Sequence, residues 1–243
     1  MEAQLSIIIP VFNEGDNISS TIEEIGNKVK TPNHIYIIYD SADDNTLPVA
    51  MEIAKTKNNL HMLRNKYGQG FIGAIKTGFD VADGDMALIV MADGADELSN
   101  VDEMFKRINK GFDIVCGSRY MRGGKQIGGP WLKKMFSRIA GTSLYYLIAL
   151  PTHDATNSFK MYRKKCLNGI AIESAVGFEL ALELVTKAFM NGCKITEVPC
   201  IWRDNPDKRS RFKLWRWLPQ YLHWYWFAVK NKFNPFGIFR ADR

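Results

Sequence analysis

The chain has 243 residues, 46% of them hydrophobic and 24% charged, with a formal net charge of +6. These are ordinary values for a globular protein long enough to bury a sizeable core in one α/β domain of upper size. No uninterrupted apolar run reaches 18 residues and the start is wrongly flanked for a secretory leader, so neither a spanning helix nor a signal peptide is expected.

Taken in chain order, short apolar runs at 5–10, 35–39, 60–63, 86–91 and 114–117 have the length and β-branched content of strands. Between them, 17–29, 46–56, 70–82 and 101–109 place apolar residues at helical spacing. Such alternation predicts a mostly parallel sheet with helices on its faces. Ligands then bind beyond the carboxyl ends of the strands, so the loops 11–17, 40–46, 65–70 and 92–100 are where chemistry is expected. A Gly-rich segment at 123–130 leads to a helix over 131–150, apolar in its second half and suited to a buried or interfacial place. A polar stretch at 153–158, a strand at 159–162, a helix at 175–191 and a strand at 194–199 follow. The four cysteines, Cys116, Cys166, Cys193 and Cys200, show no CxxC pairing, which predicts free thiols in a reducing compartment.

Several segments resemble glycosyltransferase family 2, and most closely its dolichol- and polyprenyl-phosphate sugar synthase branch. The run Ser6-Ile-Ile-Ile-Pro-Val-Phe-Asn-Glu14 is similar to the family's opening strand and loop. The resemblance implies a GT-A, Rossmann-like α/β fold in which Pro10, Phe12 and Glu14 border the donor nucleoside. In Ile37-Ile-Tyr-Asp-Ser-Ala-Asp-Asp-Asn-Thr46, Asp40 takes the position of the acid that bonds the base, while Tyr39 replaces a first acid. Asp43, Asn45 and Thr46 also suit a turn and helix cap, and the two readings are compatible. Arg64-Asn-Lys-Tyr-Gly-Gln-Gly70 resembles the element beside the diphosphate. Gly68 and Gly70 would allow close backbone approach there, and Arg64 or Lys66 would offset negative charge.

The fourth strand leads into Met91-Ala-Asp-Gly-Ala-Asp-Glu97, where the family carries Asp-x-Asp. Asp93 matches the second acid, but Met91 stands in place of the first and Ala95 in place of a helping polar residue. Mg²⁺ or Mn²⁺ prefers hard oxygen ligands, so Asp93, supplemented by Asp96, is the expected metal site. A metal-independent transferase and an inactive relative stay open beside it. Cys116-Gly-Ser-Arg-Tyr120 resembles the segment whose arginine faces a phosphate, here Arg119, with Arg138 on the next helix along the acceptor path. His153-Asp154 precedes a strand as in the family, and Glu179 and Glu183, one helical turn apart, can face one cleft as acids orienting the acceptor.

Asp204, Ser210, Arg211 and Phe212 match a loop that closes over the diphosphate, with Asn205 and Lys208 as departures. Between Arg203 and Arg216 six basic residues face two acids, and five of the six tryptophans lie between Trp202 and Trp226. Basic and amphipathic aromatic residues suit an anionic bilayer surface, and no nucleic-acid-binding motif surrounds them. Packing of the same rings into a core is the competing reading. The expected division is a GT-A domain over 1–201 and a basic aromatic segment over 202–243. The implied activity is inverting transfer of a sugar from a UDP- or GDP-linked donor to a polyprenyl phosphate, peripheral on the cytoplasmic face of the membrane. Transfer to a lipopolysaccharide or capsule precursor, or a membrane-surface scaffold without activity, are the alternatives.

Overall fold

The computed structural model describes residues 5–204 and 214–233. Four strands come first: β1 (Leu5–Pro10), β2 (Asn33–Tyr39), β3 (Leu60–Arg64) and β4 (Met86–Ile89). They alternate with helices α1 (Gly15–Lys28), α2 (Thr46–Ala54), α3 (Phe71–Val81) and α4 (Val101–Asn109). Then come β5 (Ile114–Ser118), β6 (Lys125–Ile127), α5 (Trp131–Ile148), β7 (Lys160–Arg163) and α6 (Lys164–Leu167). The described chain closes with α7 (Leu180–Met190), β8 (Ile195–Pro199), β9 (Ile201–Arg203) and α8 (Leu214–Phe233).

Among the described residues, seven strands form one sheet in the order β3-β2-β1-β4-β7-β5-β8. All pairings are parallel except those of β7, which runs antiparallel to both β4 and β5. The mostly parallel sheet expected from the alternation is therefore present. β1 is buried along its whole length, as a strand covered on both faces must be. Its pleat sends Ile7 and Ile9 to one core, shared with α1, α2 and α4. Ile8 faces the other, shared with α3, α5, α7 and α8. Ile18, Ile22 and Ile25 give α1 its buried stripe. Gly78 lets α3 lie against β1, because a Cβ there would meet the Ile8 side chain at 2.4 Å.

Three features depart from the sequence-based expectations. Cys166 and Cys193 form a disulfide across 27 residues, joining α6 to the turn before β8, whereas free thiols were expected. Pairing of cysteines so far apart depends on the meeting of a helix with a distant turn, which spacing does not encode. The division expected between 201 and 202 falls inside β9, whose backbone pairs with β6 in a second, two-stranded sheet. Finally, α8 is part of the core. Trp224, at 3% exposure, and Ala228 pack with α5 and α7, and the Lys187 ammonium lies 4.6 Å from the Trp224 ring centre. Trp224→Ala is expected to cost about 3–5 kcal/mol, the usual range for emptying a buried aromatic site. Loss of the α8 signal in chemical denaturation before that of the sheet would report it.

Candidate active site

Parallel register sets the ends of β1, β2, β3 and β4 along one edge, and the loops there are bonded to each other. Asn13 N–H donates to both Asp44 carboxylate oxygens at 3.1 Å, Glu14 N–H to Thr46 Oγ1 at 2.9 Å and Gly15 N–H to Asn45 Oδ1 at 2.9 Å. Asn45 makes no side-chain cap bond to its own helix; with its neighbours it fixes the first loop instead. Glu14 Oε2 accepts from Asn17 Nδ2 at 2.7 Å.

A cavity of about 790 Å³ lies beside these loops. Pro10, Glu14, Met91, Asp93, Asp96 and Arg119 all line it. Phe12 stands exposed at the same edge. Asp40 does not line the cavity: its oxygens accept from Asn65 Nδ2 and from Gly70 N–H, each at 2.8 Å. It thereby joins the end of β2 to the start of α3. Arg64, Lys66, Gly68 and Gly70 form that adjoining loop and are exposed. Gly68 and Gly70 both have positive φ, 86° and 106°, which glycine adopts without a Cβ penalty. Ser210 and Arg211 lie outside the described residues.

The loop after β4 is pinned from an element the sequence reading did not foresee. Glu97 N–H donates to Ile201 O at 3.0 Å and Arg203 N–H to Ala95 O at 2.8 Å, so β9 clamps both sides of Asp96. Asp93 Oδ1 accepts from Ala95 N–H at 3.1 Å. Asp96 is buried, and its Oδ1 has no hydrogen-bond partner among the described residues. Burial, then the charges of Asp93 and Asp154, push its carboxyl up to about 7, with Arg119 opposing. Among the described residues no three acidic, His or Cys side chains converge as a metal cluster. The pair Asp93–Asp96, with an orphaned buried oxygen, fits a cation that takes its remaining ligands from a diphosphate and water.

Arg119 is locked in place. Its Nε donates to Asp154 Oδ2 at 2.7 Å, its Nη2 to Asp154 Oδ1 at 2.9 Å, and its backbone N–H to Oδ2 at 3.0 Å. Nη2 also reaches Ser137 Oγ at 3.0 Å and Thr156 Oγ1 at 3.3 Å. Burial works against the Arg119 charge, but the Asp154 carboxylate more than offsets it and raises the pKa. Gly141 brings α5 onto this segment, since a Cβ there would meet His153 O at 2.2 Å.

Other residues expected near the acceptor lie elsewhere. Glu179 Oε1 accepts the Ala175 and Val176 N–H groups. Glu183 accepts those of Glu173 and Ser174 and pairs with Lys187 at 2.7 Å. They share a helix face, as their spacing requires, but it is turned to the 173–176 loop and lines no part of the cavity. His153 stacks on Tyr145 at 3.8 Å and bonds Glu197 Oε1 at 2.5 Å, a structural place. Arg138 is exposed outside the cavity.

The cavity continues between α5 and α8, and here sequence reasoning missed its residues. Lys133, Phe136, Ser137, Ile139 and Ser143 form one wall; Leu218, Tyr221, Leu222 and Tyr225 form the other. Tyr225 OH bonds Ser143 Oγ at 3.0 Å across the two helices. The spacing of Lys133 and Ser137 on the predicted helix was a signal for a shared face, but which face met a cavity depended on α8.

The sequence pattern of Glycosyl transferase family 2 matches residues 6–170. The chain belongs to that family. It is 29% identical over 215 residues to a dolichol-phosphate mannosyltransferase of Pyrococcus furiosus, covering 86% of this chain and 59% of that one. It is 28% identical over 204 residues to a polyprenol monophosphomannose synthase of Mycolicibacterium smegmatis, covering 82% and 77%. The chain thus spans less than two thirds of the first relative's length. A glucosyl-3-phosphoglycerate synthase from Mycobacterium tuberculosis in complex with UDP superposes with a TM-score of 0.71 at 14% identity, over 94% of this chain and 81% of that one. A mannosyltransferase from Pyrobaculum calidifontis in complex with GDP-Man and Mn²⁺ gives 0.65 at 16%, over 96% and 67%. At such identities the structural likeness is one of fold, and that fold is GT-A.

Proposed function

We propose that this protein transfers a sugar, with inversion, from a UDP- or GDP-linked donor to a polyprenyl phosphate. The observation that carries this reading is the two-ended cavity. One end is polar, with Glu14, Asp93, Asp96 and Arg119; the other, between α5 and α8, has Phe136, Ile139, Leu218 and Leu222 in its walls, with Lys133 on the α5 side. A charged head and an apolar tail on one acceptor would satisfy both. The named activities of the two sequence relatives support it.

The donor's diphosphate would lie beside Asp93 and Asp96, with Arg64, Lys66 and the glycines of the 64–70 loop at the same edge. Ser210 and Arg211 are proposed to close over it. A divalent cation, held by Asp93 and Asp96, would neutralise charge on the departing nucleoside diphosphate. Asp40 would contribute to base recognition once Asn65 or Gly70 yields its bond. Arg119 and Lys133 supply positive charge for the acceptor phosphate. A phosphate acceptor is anionic at neutral pH and needs no general base, whereas a glycan hydroxyl does. Asp154 and the two acids expected to orient the acceptor, Glu179 and Glu183, do not line the cavity, which favours the lipid phosphate.

The apolar end also opens toward exposed helix surface. Ile139 and Leu222 line the cavity and are 54% and 46% exposed, and Trp131, Met135 and Tyr146 continue the exposed side of α5. No helix among the described residues is long and apolar enough to cross a membrane. This surface, with the basic sequence of 203–216, supports a peripheral position on an anionic bilayer with the cavity mouth at the lipid.

Incubation with GDP-mannose or UDP-glucose, Mn²⁺ and a radiolabelled polyprenyl phosphate is expected to give an organic-extractable glycolipid. Absence of lipid product with every donor, alongside transfer to a water-soluble glycan, would overturn the proposal; absence of all nucleotide-sugar turnover would favour the scaffold. Leu222→Glu is expected to raise the KM for the lipid acceptor tenfold or more, about 1.4 kcal/mol. Donor binding should be unchanged in isothermal calorimetry.

A further inference from the structure

The 154–158 loop carries Asp154, and its Thr156, Asn157 and Ser158 line the cavity floor. Beneath it lies Lys160, on β7 between β4 and β5, with no exposed surface. Its Nζ donates to Ala155 O at 3.1 Å and also to Asn157 O. Among the described residues no carboxylate lies within ion-pair distance of it; two backbone carbonyls accept from this buried ammonium, and the Asp154 and Asp96 charges act on it from farther off. The same loop is fastened above by Arg119 through Asp154 and Thr156, and sideways by Asn157 Nδ2 to Gly117 O at 3.1 Å.

Taking an ammonium fully out of water is costly, and an apolar side chain of similar length would fill the space without that cost. What such a side chain lacks is donors for two carbonyls that no strand or helix satisfies. We infer that Lys160 is a positioning residue for the transfer reaction: its ammonium ties down the Ala155 and Asn157 carbonyls, and so fixes the cavity floor and the Asp154 carboxylate that aims Arg119. It touches neither substrate, so its effect is on geometry at Arg119, where an error near 1 Å can cost about a hundredfold in rate.

The activity part of this inference rests on the transferase reading; the structural part does not. Lys160→Met and Lys160→Arg would be compared with the unaltered protein by hydrogen-exchange mass spectrometry and by steady-state kinetics with GDP-mannose and polyprenyl phosphate. For Lys160→Met, peptides over 153–159 are expected to exchange at least tenfold faster while those of β1 and β4 keep their protection. Its kcat should fall at least tenfold, with donor KM within twofold. Lys160→Arg, which keeps the donors, should recover loop protection and most of kcat. Should Lys160→Met not fold, Lys160→Leu replaces it in the same comparison. Unchanged loop exchange in a folded Met or Leu variant would overturn the inference, as would an Arg variant that is folded, loop-protected and as slow as Met. If the unaltered protein transfers no sugar, the functional reading fails, and the exchange data still decide the role of Lys160.

Discussion

Replacing Asp93 with Asn is expected to lower transfer by about 10²–10³-fold, the range found when one preorganised electrostatic group is removed from an active site. The side chain is half-buried on the cavity wall, and Asn can still accept the Ala95 N–H, so the fold should survive. Unchanged thermal unfolding beside the lost rate would separate chemistry from stability. The complementary change is Met91→Asp, which places a second carboxylate at the cavity where a thioether now stands. It is expected to tighten Mn²⁺-dependent donor binding by tenfold or more, read by titration calorimetry at several Mn²⁺ concentrations. A rate insensitive to Asp93→Asn, or a donor affinity indifferent to Mn²⁺ in both variants, would remove Asp93 from the centre of the site.

The second large effect concerns Asp154. It is fully buried and meets Arg119 through two side-chain bonds and one backbone bond. Asp154→Ala leaves a buried guanidinium without its counter-charge, which typically costs 3–5 kcal/mol. For a chain of this size that corresponds to a fall of about 6–20 °C in melting temperature. The partner experiment removes both charges. Asp154→Leu with Arg119→Met is expected to recover most of that stability, because apolar replacement of a buried pair is often neutral or favourable. Transfer to the lipid phosphate should nevertheless stay at least a hundredfold down. If the double variant transferred sugar normally, Arg119 would have no part in acceptor binding. If the single variant melted as the unaltered protein does, the pair would be looser than its bonds show.

Much of this architecture is legible along the chain because it is local. The Ile7-Ile8-Ile9 run marks a doubly covered strand, the 18-22-25 spacing marks the buried face of α1, and alternation of the two periods implies the parallel sheet. The loops at the strand ends follow from that sheet, whereas Glu14, Asp93 and Arg119 are singled out by the family resemblance. Tertiary structure decided what distant segments do to one another. Spacing put Glu179 and Glu183 on one helix face, but the chain wraps its 173–176 loop over that face and takes both carboxylates for backbone N–H groups. Asp40 sits at the expected edge, yet Asn65 and Gly70 reach it first. The aromatic residues near the end carry no period that separates a core ring such as Trp224 from a surface ring such as Trp226. That choice was made by the exposed edges of α5 and α7, which needed covering, and it created the apolar half of the cavity. Composition and local period determine where an element lies and which side is apolar; which element meets it is settled only when the whole chain is packed.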